Sequence, residues 1–179
     1  MDGYLRSPEA RYLPPAFRVS WLAQGYARRE GSLDRRVAFL SRFVRAMNDA
    51  GVPLLSGTDA QDIPGLVAGF ALHRNLEALA GAGLSRYDAL ATATRVPGEF
   101  IRRHRPDLPP FGIVAEGARA DLLLVAANPL DDLAPLSRPM GVMADGRWYP
   151  ADDLAERMEQ VRHGYEVAAR SALEASAQP

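Results

Sequence analysis

The chain has no cysteine and no lysine: every one of its 21 cationic residues is arginine. Three histidines, at 73, 104 and 163, complete its stock of imidazole. Without thiols there are no disulfides, no thiolate nucleophiles and no cysteine-ligated zinc or iron–sulfur centre. Without lysine there is no Schiff base, no lysine general base and no P-loop lysine. Charge of one sign is also lacking, since 21 cations stand against 22 acids, so no electrostatic pull toward nucleic acid or an anionic membrane is expected. Long apolar runs are absent too. The longest, Leu122–Ala127, is far short of a bilayer span, and "MDGYLRSPEA" has no apolar signal core. These absences leave small molecules and proteins as partners and a cytoplasmic location as the expectation.

At 179 residues the chain is long enough for a sizeable core. "AFRVSWLAQGYARRE" predicts a helix over Phe17–Glu30. From Ser32, read as an N-cap, Val37, Leu40, Val44 and Met47 recur at steps of three and four, predicting an amphipathic helix that stops at Gly51. "VPLLSG" reads as a strand buried on both faces, because its apolar run is continuous rather than alternating. Helices are expected over Leu66–Ala82, with Leu72, Leu76 and Leu79 on one face, and from Ser85 to Thr94, where Ser85 and Asp88 have capping-box spacing. Pro97 is read as the start of another.

Beyond "RPDLPPFG" the pattern changes. "ADLLLVAA" predicts a strand, and "GVMADGRWY" predicts a hairpin turning at Asp145-Gly146. Gly112 and Gly117 suit turns, and Asp121 is placed to fix backbone donors near the strand start. A helix over Asp153–Leu173 puts Leu154, Met158, Val161, Tyr165, Ala168 and Ala172 on one stripe, with Asp153–Arg157 and Glu166–Arg170 as ion pairs.

Candidate chemistry concentrates in "SGTDAQDIPG". An apolar run ending on Asp59, with Asp62 three residues on, places ionisable groups at the edge of a core, where desolvation is costly without a counter-charge. Asp59 taken alone reads as a turn former or helix cap. His73 and Glu77, at i,i+4, could together offer two metal ligands. Trp21 with its basic neighbours reads as core packing or a pocket wall, and "RRHRPD" (102–107) as a cationic helix end.

In combination, "VPLLSGTDA", "LHRNLEAL", "GAGLSRYDALATATRVPGEF", "FGIVAEGARADLLLVAANPLDDL" and "GVMADGRWY" resemble, in that order, the C-terminal portion of the amidohydrolase superfamily, imidazolonepropionase-like branch. The resemblance implies an α/β fold: a C-terminal fragment of a metal-dependent (β/α)8 TIM barrel plus strands of the small composite β-sandwich. It divides the chain into barrel units (1–110), sandwich strands and hairpin (111–150) and a terminal amphipathic helix (151–179). It also implies hydrolysis of non-peptide carbon–nitrogen bonds in a small-molecule substrate, with a divalent metal, zinc first, as cofactor. Asp59 matches the family's metal ligand and proton shuttle. A metal-held water has its pKa lowered toward neutrality, and an adjacent carboxylate can take its proton and pass it to the leaving nitrogen. Asp62 reads first as a loop cap and His73 as a packed or half-exposed helix residue; in second place Asp62 is a candidate for holding metal or a substrate amine, and His73 for lying near the active-site mouth and contacting substrate.

The family's other ligands have no counterpart. There is no His-x-His pair and no lysine to carry a carboxylate, and a (β/α)8 barrel takes about 250 residues. The chain alone is therefore expected to be inactive. It reads as a truncated gene product, or as one half of a split enzyme whose partner is the N-terminal part of the barrel. The alternative is a non-catalytic interaction module derived from an amidohydrolase, in which Asp59 is only a turn residue.

Overall fold

A computed structural model describes residues 5–25 and 30–176, with side chains through Ser171. Helices α1 (Pro15–Ala23), α2 (Asp34–Asp49), α3 (Phe70–Gly81), α4 (Arg86–Ala91) and α5 (Arg95–His104) precede strand β1 (Leu122–Leu124), hairpin strands β2 (Gly141–Ala144) and β3 (Arg147–Pro150), and helix α6 (Ala151–Ser176). The result is a helical protein with one antiparallel sheet, ordered β1-β2-β3. Two compact units divide the chain. One comprises 1–31, 58–71 and 152–179, the other 32–57 and 72–151.

In the first unit, Leu13, Trp21 and Val67 form the core, with Leu5, Phe17 and Phe70 packed on it. Trp21 is fully buried, so of its two readings core packing holds. Arg18 ties this cluster's N-terminal turn down, donating to Ala10 O at 2.9 Å and Leu13 O at 3.3 Å. The predicted Phe17–Glu30 helix is shorter: α1 ends at Ala23, and residues 26–29 lie outside the described set. Along α6 the observed ion pairs join Arg162 to Glu159 and to Glu166, at 2.7 and 2.6 Å. Leu154, Met158 and Tyr165 are half-buried on the expected stripe, while Val161 and Ala168 are exposed.

The second unit gathers Leu76, Leu133 and Leu136, flanked by Ala80, Leu90, Ala93 and Val125. Its local signals were legible. Ser85 Oγ accepts the Asp88 amide at 3.0 Å, capping α4. Asp145 and Gly146, with φ of 48° and 77°, make the two-residue turn of the hairpin, paired Val142 to Tyr149 and Met143 to Trp148. Helix α2 ends in a Schellman arrangement at Gly51 (φ 71°), where Gly51 N–H reaches Asn48 O and Val52 N–H reaches Met47 O. Its start differs by one residue: Ser32 Oγ accepts from Asp34 N–H, yet Leu33 is the cap. Helix α3 begins at Phe70 rather than Leu66, because Gly65 and Gly69 both have positive φ. Pro97 is the third residue of α5, still within the turn whose amides have no intrahelical acceptor.

Two expectations fail in an instructive way. Residues 52–57 form no strand, the one backbone bond to another segment among the described residues being Ser56 N–H to Thr92 O at 3.0 Å. A strand exists only when a neighbour supplies its partners, and no described segment does. Helix α2, amphipathic as predicted, buries none of its 16 residues.

Glycine is required where α5 meets the chain returning from the Pro-rich loop. A Cβ on Gly98 would collide with Phe111 O, and one on Gly112 (φ 79°) with Thr94 O. Gly98→Ala is therefore expected to lower stability by about 1–3 kcal/mol through overpacking. Gly164→Ala, with open space around the same position in α6, should raise it by roughly 0.5–1 kcal/mol. Urea unfolding of the 179-residue chain checks both.

Asp121 performs its expected task. Its Oδ1 accepts the Asp145 amide at 2.8 Å and Oδ2 pairs with Arg119, locking the hairpin turn to the start of β1. The Asp145 amide, more than the Arg119 guanidinium, holds the carboxyl below its usual range. A depressed folded pKa means the stabilisation is present above the ordinary carboxylate value, about 3.9, and lost as pH falls through the lower folded value. Asp121→Asn should thus lower the urea midpoint at pH 7, with the gap to wild type closing below about pH 4. A gap unchanged by pH would contradict the assignment.

Candidate functional site

The segment Pro53–Gly57 leads directly into the loop that carries the candidate acids. At Ser56 it is held by a double tie to Thr92. Besides the backbone bond, the Ser56 hydroxyl bonds the Thr92 hydroxyl, which in turn donates to Ala89 O at 2.7 Å. Thr92 is buried, so this tie fixes the exit of the segment from the second unit.

Asp59 stands two residues past Gly57, exposed, with φ of 47°. Gln61 follows at φ 82°. Non-glycine residues seldom adopt this left-handed region, Asp more readily than Gln, and such positions persist where surrounding contacts fix them. Those contacts are visible within the first unit. Trp21 Nε1 donates to Gln61 O at 2.7 Å, Gln24 Nε2 donates to Asp62 O at 3.1 Å, and the loop closes on itself through Gln61 N–H to Leu66 O at 2.9 Å. Helix α1 is therefore a clamp on the Asp59–Asp62 loop. The composition of "SWLAQGYARR" hinted at a role for Trp21, but only the fold reveals the carbonyl that its indole holds.

Asp59 and Asp62 thus share one tight loop, both exposed. His73 lies elsewhere, on α3, half-buried, its Nδ1 shielded from water without a hydrogen-bond partner, and Asn75 Oδ1 is in the same condition. Glu77 is exposed on the next turn. Among the described residues no three His, Asp or Glu side chains come together as a group able to hold a metal. One or two carboxylates do not satisfy a catalytic zinc, which takes three protein ligands and an open position. The residues present do not make a metal centre by themselves.

A cleft of about 450 Å³ adjoins the start of the extended segment, lined by Val52, Leu54, Asp88, Thr92, Arg95 and Glu99 among others. Its charges are internally committed. Arg95 pairs with Glu99 at 2.7 Å, which raises the guanidinium pKa further, and Asp88 Oδ2 accepts the Ser85 hydroxyl at 2.6 Å. No nucleophile or free base faces this space. The "RRHRPD" cluster is similarly engaged: His104 stacks on Phe100 with ring centroids 4.4 Å apart, and Arg105 forks onto Asp107 at 2.9 and 2.7 Å, depressing that carboxyl. No helix among the described residues is long and apolar enough to cross a membrane.

No protein-family model and no curated protein matches the chain. Solved structures do. Bottromycin amidohydrolase superposes with a TM-score of 0.70 and 29% identity over 89% of this chain and 35% of its own. The crystal structure of another amidohydrolase aligns with 28% identity over 62% of this chain and 25% of its own, with a TM-score of 0.48. The chain is thus similar, along most of its own length, to about a third of an amidohydrolase.

Proposed function

We propose that the chain is the portion of a metal-dependent amidohydrolase that carries the acid–base carboxylate, Asp59, and that the complete enzyme hydrolyses a non-peptide carbon–nitrogen bond of a small molecule. The observation that carries this reading is the similarity to bottromycin amidohydrolase over 89% of the chain. The position of Asp59 supports it. The residue follows an apolar segment and occupies a left-handed conformation in a loop held by Trp21. Barrel enzymes draw their catalytic groups from the C-terminal ends of strands, and this would be such an end once the segment is paired.

The chemistry assigned to this chain is limited to what its residues can do. The Asp59 carboxylate accepts a proton from the attacking water and returns it to the departing nitrogen, a contribution typically worth about 10²–10⁴-fold in rate. Divalent-metal activation of that water, by zinc in the first place, belongs to the complete enzyme. Within the superfamily, the reading we favour is the imidazolonepropionase-like branch, on the resemblance of the ordered sequence segments. Asp62, on the same loop, and His73, with its unpartnered Nδ1, are the next groups to examine for substrate contact.

The 179-residue chain alone should show no metal-stimulated turnover on a panel of cyclic and linear amides and amidines, and no stoichiometric zinc by elemental analysis. In the assembled enzyme, Asp59→Asn should cut turnover by about 10²-fold or more while assembly is retained. Turnover left intact by that change would remove Asp59 from the chemistry and favour the interaction-module reading.

A further inference from the structure

The carboxylate of Asp59 makes no hydrogen bond or ion pair among the described residues, so its place is set by its main chain. That main chain passes through left-handed conformations at Asp59 and Gln61, which persist only where surrounding contacts over-determine them. Three contacts do so within the first unit. The Trp21 indole donates to Gln61 O at 2.7 Å, Gln24 Nε2 donates to Asp62 O at 3.1 Å, and the Gln61 amide donates to Leu66 O at 2.9 Å. One residue further on, Val67 is buried in the same cluster as Trp21 and Leu13. The fully buried Trp21 side chain therefore grips the loop twice, by a carbonyl near its start and by the core at its end. A buried indole N–H needs an acceptor, and the one it takes belongs to the residue two positions after the candidate acid.

We propose that Trp21, assisted by Gln24, is a positioning residue for the proton transfers assigned to Asp59: it fixes the stretch of main chain from which that carboxylate projects. The proposal rests on the reading of Asp59 as the acid–base group. Proton transfer requires donor and acceptor within hydrogen-bond reach, and a misplacement of about 1 Å arising away from the chemistry costs about 10²-fold in rate. Removing the indole N–H frees the Gln61 carbonyl and leaves the Asp59 side chain chemically unchanged. The loss should therefore fall on kcat, where the proton is moved, and leave KM nearly as it was. Gln24 acts on the adjacent carbonyl from an exposed position at the end of α1, so its removal should have the same kind of effect with a smaller size.

Two measurements test it. In the 179-residue chain, Trp21→Phe should speed hydrogen exchange of the Gln61 amide at least about tenfold, and Gln24→Met about threefold, with helical circular dichroism retained. Where Trp21→Phe fails to fold, Gln24→Met, which leaves the core intact, carries both measurements. In the complete enzyme of the proposed function, Trp21→Phe should lower kcat at least about tenfold with KM changed by less than about twofold, and Gln24→Met should lower kcat by a smaller factor. The deciding comparison repeats each change in the Asp59→Asn background, where a residue acting through the Asp59 carboxylate has nothing further to remove. Exchange at Gln61 unaltered by these variants, or faster exchange with kcat unchanged, would overturn the proposal. A kcat loss that persists undiminished in the Asp59→Asn background would overturn it too, while leaving Asp59 in its catalytic role. Full turnover in Asp59→Asn alone would remove the acid–base reading and the proposal together.

Discussion

An extended backbone carries donors and acceptors that must be paired or solvated, and it cannot pair them with itself. The rest of this molecule is organised around that constraint at residues 52–57. A helix satisfies its own amides wherever it forms, so α2 through α6 appear in place. Antiparallel strands joined by a two-residue turn find each other locally, so β2 and β3 form, and β1 joins them by pairing Leu123 with Val142. The parallel type of strand has no such recourse, because its partners lie a dozen or more residues away in the chain. Residues 52–57, read as a strand of that type, accordingly form none with any described segment. Helix α2 likewise leaves Val37, Leu40 and Phe43 about half exposed.

The exposed apolar surface is consistent in kind. Helix α2 shows four large apolar side chains at 46–57% exposure, and the three leucines of β1 range from 36% to 50%. Full burial of one such side chain is worth about 1.5–3 kcal/mol. Several left half in water is therefore a large uncollected stabilisation for a chain of this size, where the whole folding free energy is typically about 5–15 kcal/mol. Along most of its length the chain is similar to about a third of a longer amidohydrolase.

How much could be read from the sequence divides along the same line. Signals acting within a few residues were legible: Ser85 capping α4, Gly51 closing α2, Asp145-Gly146 turning the hairpin, and Asp121 meeting a backbone donor. Each depends on a short-range match between residue type and backbone geometry. What was not legible needs two distant segments at once. The Trp21 indole holds a carbonyl 40 residues away, Gly98 and Gly112 are fixed by a crossing of α5 with the returning chain, and the strand read at 52–57 lacks the partner that would make it one. The position of Asp59 at the end of an apolar run was visible. Its left-handed backbone was not, since Asp is only permissive of that conformation and does not demand it.

The clamp on the Asp59 loop bears on how the site is built. Holding Asp59 and Gln61 at positive φ costs on the order of 1–3 kcal/mol for each such residue. That cost is offset within the first unit, by the Trp21 and Gln24 bonds to two successive carbonyls and by burial of the indole itself. The helix that the sequence marked only by an aromatic and a basic cluster thus serves the candidate site at one remove: it holds the main chain, and the main chain holds the acid.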